Sequence, residues 1–134
     1  MAKVLGVGGI FFKSSQPRRL VKWYSKHLGM KLESNAFVRF RPADMPEGAV
    51  TVWSVFPRAT RHFRPSKQPF MINLVVDDLD GALRQVARGG GRIVGDVEEH
   101  PYGRFGSFLD PDGNKVELWQ VPAARARGRK PKRK

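Results

Sequence analysis

Glu117 is the side chain in this 134-residue sequence whose type and setting ask for chemistry. It stands in KVELWQ (115–120), where alternation puts Glu117 and Trp119 on one face of a strand and Val116, Leu118 and Gln120 on the other. A lone carboxylate on a strand can act as a general base, ligate a cation or anchor a hydrogen-bonding ligand. Buried alone it is costly, so water, a cation or a basic side chain such as Lys13 must lie nearby. The other proton-transfer or metal-binding candidates are His27, His62 and His100, expected on a helix, in a connector and in a loop beside Pro101. There is no cysteine, which excludes a thiolate nucleophile, a cysteine-ligated metal and a disulfide framework.

The elements that must position Glu117 can be read outward from it. Residues 103–109 form an aromatic-rich strand, and Asp110-Pro111-Asp112-Gly113-Asn114 supplies a preset φ, turn-favouring carboxylates and a glycine, so 103–121 is a hairpin. Upstream, residues 70–76 read as an apolar strand, Asp77 or Asp78 as a cap, 79–88 as a helix, Gly89-Gly90-Gly91 as its stop and 92–97 as a further strand. The same order occurs earlier. Residues 4–12 read as a strand, Ser15 and Pro17 open a helix whose stripe of Leu20, Val21, Trp23, Tyr24 and Leu28 ends at Gly29, and 30–33, 36–41 and 49–56 read as strands. Shifting this first unit by 62 residues places Gly29 on Gly91, Val21 on Leu83 and Tyr24 on Val86. Two strand-helix-three-strand modules, about 3–57 and 70–122, joined by a polar connector over 58–69, are therefore expected within one domain over 1–122.

Charge is unevenly distributed. Residues 1–68 hold thirteen Lys/Arg against three acidic side chains, a net +10, while 69–124 hold five against nine, a net −4. Opposite signs favour docking of one half on the other, within or between chains. The remaining charge sits in RARGRKPKRK, where Arg125, Arg127, Arg129, Lys130, Lys132, Arg133 and Lys134 have no acidic neighbour. With no apolar residue larger than alanine from Ala123 onward, 123–134 reads as a disordered basic tail able to contact nucleic acid non-specifically. No signal pattern opens the chain and no apolar run approaches the roughly 20 residues of a membrane span, so a soluble, cytoplasmic protein without membrane contact is expected.

KWYSKHLGM (22–30), VDDLDGAL (76–83) and DPDGNKVELWQ (110–120), set in paired modules, resemble the vicinal oxygen chelate superfamily of glyoxalases, bleomycin resistance proteins and extradiol dioxygenases. The resemblance implies an α+β fold in which two βαβββ modules form a curled mixed sheet around a cup-shaped site, with helices outside. It also implies a homodimer. Its enzymes hold a divalent metal with histidine, glutamine or glutamate side chains, and residue by residue that pattern is depleted here. Glu117 falls at the second-module carboxylate position, but Gly9, Met71 and Thr51, or Ser54, stand at the others. Glycine offers no donor, a thioether suits hard divalent ions poorly and a hydroxyl is weak, so no metal or other cofactor is expected. A divalent metal using Glu117 is the degenerate alternative.

If Gly9 and Met71 face the cup, alternation adds Phe11, Lys13 and Asn73, and the match of VTVW (50–53) to VELW (116–119) adds Trp53. With Phe105, Glu117 and Trp119 these make a mainly aromatic, metal-poor pocket for a small organic ligand. Binding of such a ligand is the leading expectation. The alternative is a glyoxalase-type lyase or isomerase, or a dioxygenase, with Glu117 as catalytic base or ligand.

Overall fold

The computed structural model describes residues 1–33 and 37–123. Pro17, its missing N–H harmless in a first turn, starts helix α1 (Pro17–Leu28), which stops where Gly29 adopts a left-handed φ of 68°. The expected serine cap does not form. Gln16 occupies the N-cap position without a side-chain bond to the helix, and Ser14 Oγ instead accepts from the Gln16 N–H at 3.0 Å. Helix α2 (Leu79–Arg88) is capped as expected by Asp78, whose carboxylate accepts from the Gly81 N–H at 3.1 Å. The 62-residue repeat is visible in the backbone, since the Gly29 N–H donates to Tyr24 O and the Gly91 N–H to Val86 O.

Strands β1 (Ile72–Val75), β2 (Arg92–His100), β3 (Gly103–Leu109) and β4 (Lys115–Gln120) make one mixed sheet, ordered β1-β4-β3-β2 and not closed into a barrel. β1 runs parallel to β4 and the other pairs are antiparallel. β2 extends three residues beyond its expected end because a bulge between Val94 and Glu98, containing Gly95 at φ 70°, lets the strand resume pairing. His100 thus closes a strand instead of lying in a loop.

Both helices cover one face of this sheet. Val116, Leu118 and Phe108 from the strands meet Leu79 and Val86 of α2, all with no exposure, and Leu20 and Tyr24 of α1 complete the cluster. Each such side chain contributes about 1.5–3 kcal/mol by leaving water. Polar contacts fix the helices in place. Trp23 Nε1 donates to Gly89 O at 2.9 Å, Gln85 Nε2 to His27 O at 2.8 Å and Tyr24 Oη to Asp110 Oδ2 at 2.8 Å. Asp110, 4% exposed, also accepts from the backbone N–H groups of Asp112 and Asn114 and from Asn114 Nδ2. Burial, and then the neighbouring Asp110 carboxylate, push the Tyr24 phenol far above its usual range.

The second module is thus built as the sequence implies, whereas the first contributes its helix without a ladder of its own. Among the described residues, the segments expected as strands over 4–12, 30–33, 36–41 and 49–56 pair only through the bridge Glu33–Phe37. Their apolar alternation is intact, but a strand requires a neighbour to hydrogen-bond with, and these segments have none within the sheet. Ile10 and Phe12, which alternate with Gly9, Phe11 and Lys13 along the first of these segments, are exposed, with Phe12 beside Phe70 at a ring separation of 6.0 Å. No helix among the described residues is long and apolar enough to cross a membrane.

Candidate functional site

The face of the sheet opposite the helices carries the candidate chemistry. Strand registers place Asn73, Glu117 and Ser107 in one cross-strand row, and Val75, Trp119 and Phe105 in the next. Asn73 Nδ2 donates to Glu117 Oε1 at 2.8 Å, so the carboxylate is oriented by an amide that brings no counter-charge. Phe105 and Trp119 stack nearly parallel, 5.8 Å between centroids and 5° between planes. Trp119 is held from behind, its Nε1 donating to Tyr102 O at 2.9 Å. The result is an anchored carboxylate next to an aromatic wall, able to accept a hydrogen bond or balance a cation while a ring packs beside it.

Gly103 makes that wall possible. At φ 138° it adopts a backbone that side-chain-bearing residues avoid, and a Cβ there would run into Trp119 Nε1 and lie 2.5 Å from Gln120 O. Beyond Trp119 the aromatic surface continues through His100 and Tyr102, stacked at 5.1 Å, with Phe105 edge-on to both. His100 Nε2 also lies 3.2 Å from Glu98 Oε1. Sequence reasoning did not assign Tyr102, Gly103 or Glu98 to this surface. The signal for Gly103 was present as a glycine opening the aromatic-rich strand over 103–109, but its contact with Trp119 depends on pairing across the hairpin.

Met71 directly precedes β1 and Asn73 and Glu117 lie on the open face, as alternation implies. Phe105 and Trp119 join them. Phe11 and Trp53 do not share this cluster in the single chain, being 95% and 79% exposed. Lys13 lines a different cavity of about 430 Å³ between the start of α1 and the β3–β4 turn, with Gln16, Arg19, Gln68 and Asp112. Lys115, at the start of β4, donates to His62 O at 2.7 Å, and His62 stacks on Phe56 at 5.2 Å. Arg125, Arg127, Arg129, Lys130, Lys132, Arg133 and Lys134 lie outside the described residues.

Among the described residues no three His, Cys, Asp or Glu side chains converge, and Glu117 has an amide, a hydroxyl and aromatic carbon as neighbours.

A family profile described as Glyoxalase/Bleomycin resistance protein/Dioxygenase superfamily matches residues 10–118. Among solved structures, a protein of unknown function from Agrobacterium tumefaciens str. C58 is 22% identical and aligns over 90% of this chain and 97% of its own, with a TM-score of 0.55, which places the two in the same fold. TnmS3, an antibiotic binding protein from Streptomyces sp. CB03234, is 25% identical over 81% of this chain and 88% of its own, at a TM-score of 0.47. A member of the Glyoxalase/bleomycin resistance protein/dioxygenase superfamily from Sphaerobacter thermophilus DSM 20745 is 25% identical over 90% and 98%, at 0.48. No curated protein matches the chain.

Proposed function

Because the chain belongs to the Glyoxalase/Bleomycin resistance protein/Dioxygenase superfamily, we propose that it binds a small, partly aromatic organic ligand on the open face of its sheet, without a metal. The carrying observation is the Asn73–Glu117 pair set beside the stacked Phe105 and Trp119. Asn73 uses one donor on Oε1 and leaves Glu117 a second oxygen to receive an N–H or O–H from a ligand, while the rings supply apolar contact. The chemistry that fits is a flat ring carrying a basic nitrogen, with the cation near Glu117 and the ring against Phe105 and Trp119. Loss of a charge-assisted hydrogen bond costs about 1.5–3 kcal/mol, a weakening of roughly 10- to 150-fold.

Calorimetric titration with a panel of aromatic amines, in the presence of a chelator, tests this reading. Wild-type protein is expected to bind at least one of them and Glu117→Gln to bind it at least tenfold more weakly. Equal binding by the two proteins would remove Glu117 from the site. Binding that disappears with chelator, or turnover of a hemithioacetal or catechol, would establish the alternative enzyme reading with Glu117 as ligand or base.

A further inference from the structure

The helix layer, on the side of the sheet away from Glu117, is put together with a local twofold. Trp23 Nε1 donates to Gly89 O at 2.9 Å, and Gln85 Nε2 donates to His27 O at 2.8 Å. The internal repeat relates both donors and both acceptors, since a shift of 62 carries Trp23 to Gln85 and His27 to Gly89. Each helix thus offers a side chain to the C-terminal end of the other. The same shift of 62 carries Lys22 to Arg84 and Lys26 to Arg88, so the cations of the two helices are related across the same seam.

These cations face water. Leu20 and Tyr24 of α1 and Ala82 and Val86 of α2 are buried against the sheet, which at 3.6 residues per turn leaves Lys22, Lys26, Arg84 and Arg88 on the outer side, all exposed. Arg18, also exposed, extends the α1 row by one turn. Among the described residues none of the five is ion-paired. α1 contains no acidic residue, and the single one in α2, Asp80, is taken up by Arg104 Nη1 and Nη2 at 3.2 and 3.1 Å. Like charges at i, i+4 cost about 0.2–0.5 kcal/mol per pair in an isolated helix, a repulsion that a facing row of anions would relieve.

We propose that this helix face is a docking surface for the phosphate backbone of duplex DNA. Two features favour that partner over a lipid surface. The apolar stripes of both helices are committed to the core, so the face has nothing to insert into a bilayer and can act only through charge. The cations also form two rows, one on each helix. Packed helix axes lie about 8–10 Å apart, within the range of DNA groove widths of about 6–12 Å, so the rows run beside the two lines of phosphates that border a groove. From Arg18 to Lys26 the α1 row spans about 12 Å, a length over which a duplex carries about seven phosphates. The contact reads no base sequence. It lies on the opposite side of the sheet from the ligand face and does not depend on that reading. The seven cations beyond residue 124 add to the same attraction.

The test compares full-length variants that change net charge equally at different places. One carries Lys22→Gln, Lys26→Gln, Arg84→Gln and Arg88→Gln, and the other carries Arg58→Gln, Arg61→Gln, Arg64→Gln and Lys67→Gln in the exposed connector. Glutamine is a good helix former, so the helix variant is expected to keep the wild-type circular dichroism spectrum and melting temperature. Binding to a fluorescein-labelled duplex of mixed sequence is followed by anisotropy between about 50 and 200 mM salt. The helix variant should bind at least tenfold more weakly at about 50 mM salt, and its plot of log affinity against log salt should be shallower by about 3 to 4, near 0.9 per lost phosphate contact. The connector variant should keep the wild-type slope. Should the fourfold helix variant unfold, Lys22→Gln and Arg84→Gln singly are each expected to lower the slope by about 1. Helix variants with the wild-type slope, or a connector variant that loses as much, would overturn the inference. So would wild-type protein that binds phosphatidylserine-containing vesicles but not the duplex.

Discussion

Replacing Tyr24 by Phe removes one oxygen and, with it, the link between α1 and the turn that aims β4. The ring keeps its packing against Phe108, 6.4 Å away between centroids, and no cavity opens. What is lost is the 2.8 Å bond to Asp110 Oδ2, made to a carboxylate that is 4% exposed and that retains three other donors. A hydrogen bond to a buried charge is worth about 1.5–3 kcal/mol. With an unfolding entropy of about 2 cal/mol/K per residue, 134 residues give roughly 3–4 °C per kcal/mol, so Tm should fall by about 5–10 °C at fixed protein concentration. The pH dependence gives an independent check. The native phenol is held above its ordinary value, so the stability it contributes is complete below about pH 10 and is lost as pH rises further, because the unfolded chain ionises first. Tyr24→Phe should flatten that alkaline loss while lowering stability at neutral pH, measured by urea denaturation from pH 7 to 11. A variant within 0.5 kcal/mol of wild type, or one with an unchanged alkaline limb, would refute the view that this bond locks the helix to the turn.

Gly103→Ala should destabilise the protein by at least about 2 kcal/mol in the same assay and shift Trp119 fluorescence, since the new methyl group meets the indole at a backbone angle alanine avoids. Deleting residues 124–134 should leave Tm within a degree or two while removing most binding to duplex DNA. That binding, carried by seven cations, should fall steeply between about 50 and 200 mM salt in a fluorescence-anisotropy titration. Equal binding by the truncated protein would move the polyanion contact to the +10 first half.

The second module was legible because its signals are local and agree with one another. Asp78 caps, glycines stop both helices, the DPDGN turn reverses the chain, and period-2 alternation puts Val116 and Leu118 inward and Glu117 outward. Much less could be read of what depends on distant partners. Asp110 reads as a turn residue, and nothing local announces that Tyr24, 86 positions away, will share its carboxylate. Asn73 and Glu117 could be assigned to one face by counting, but their pairing required the parallel register of β1 on β4. The first module shows the other limit. Its residues carry strand periodicity as clearly as the second, yet periodicity identifies a face and not the neighbours that would cover it, and Val52 and Trp53 stand exposed.

The central claim, that the open sheet face holds the ligand, is tested most directly by NMR titration of isotopically labelled protein with phenethylammonium. The account predicts that the Asn73 side-chain amide, the backbone amides of Ser107 and Glu117 and the Trp119 indole N–H shift together in a saturable manner, whether or not a chelator is present. Shifts confined to the cavity lined by Arg19, Gln68 and Asp112, with the Asn73 and Trp119 side-chain signals unmoved, would contradict it.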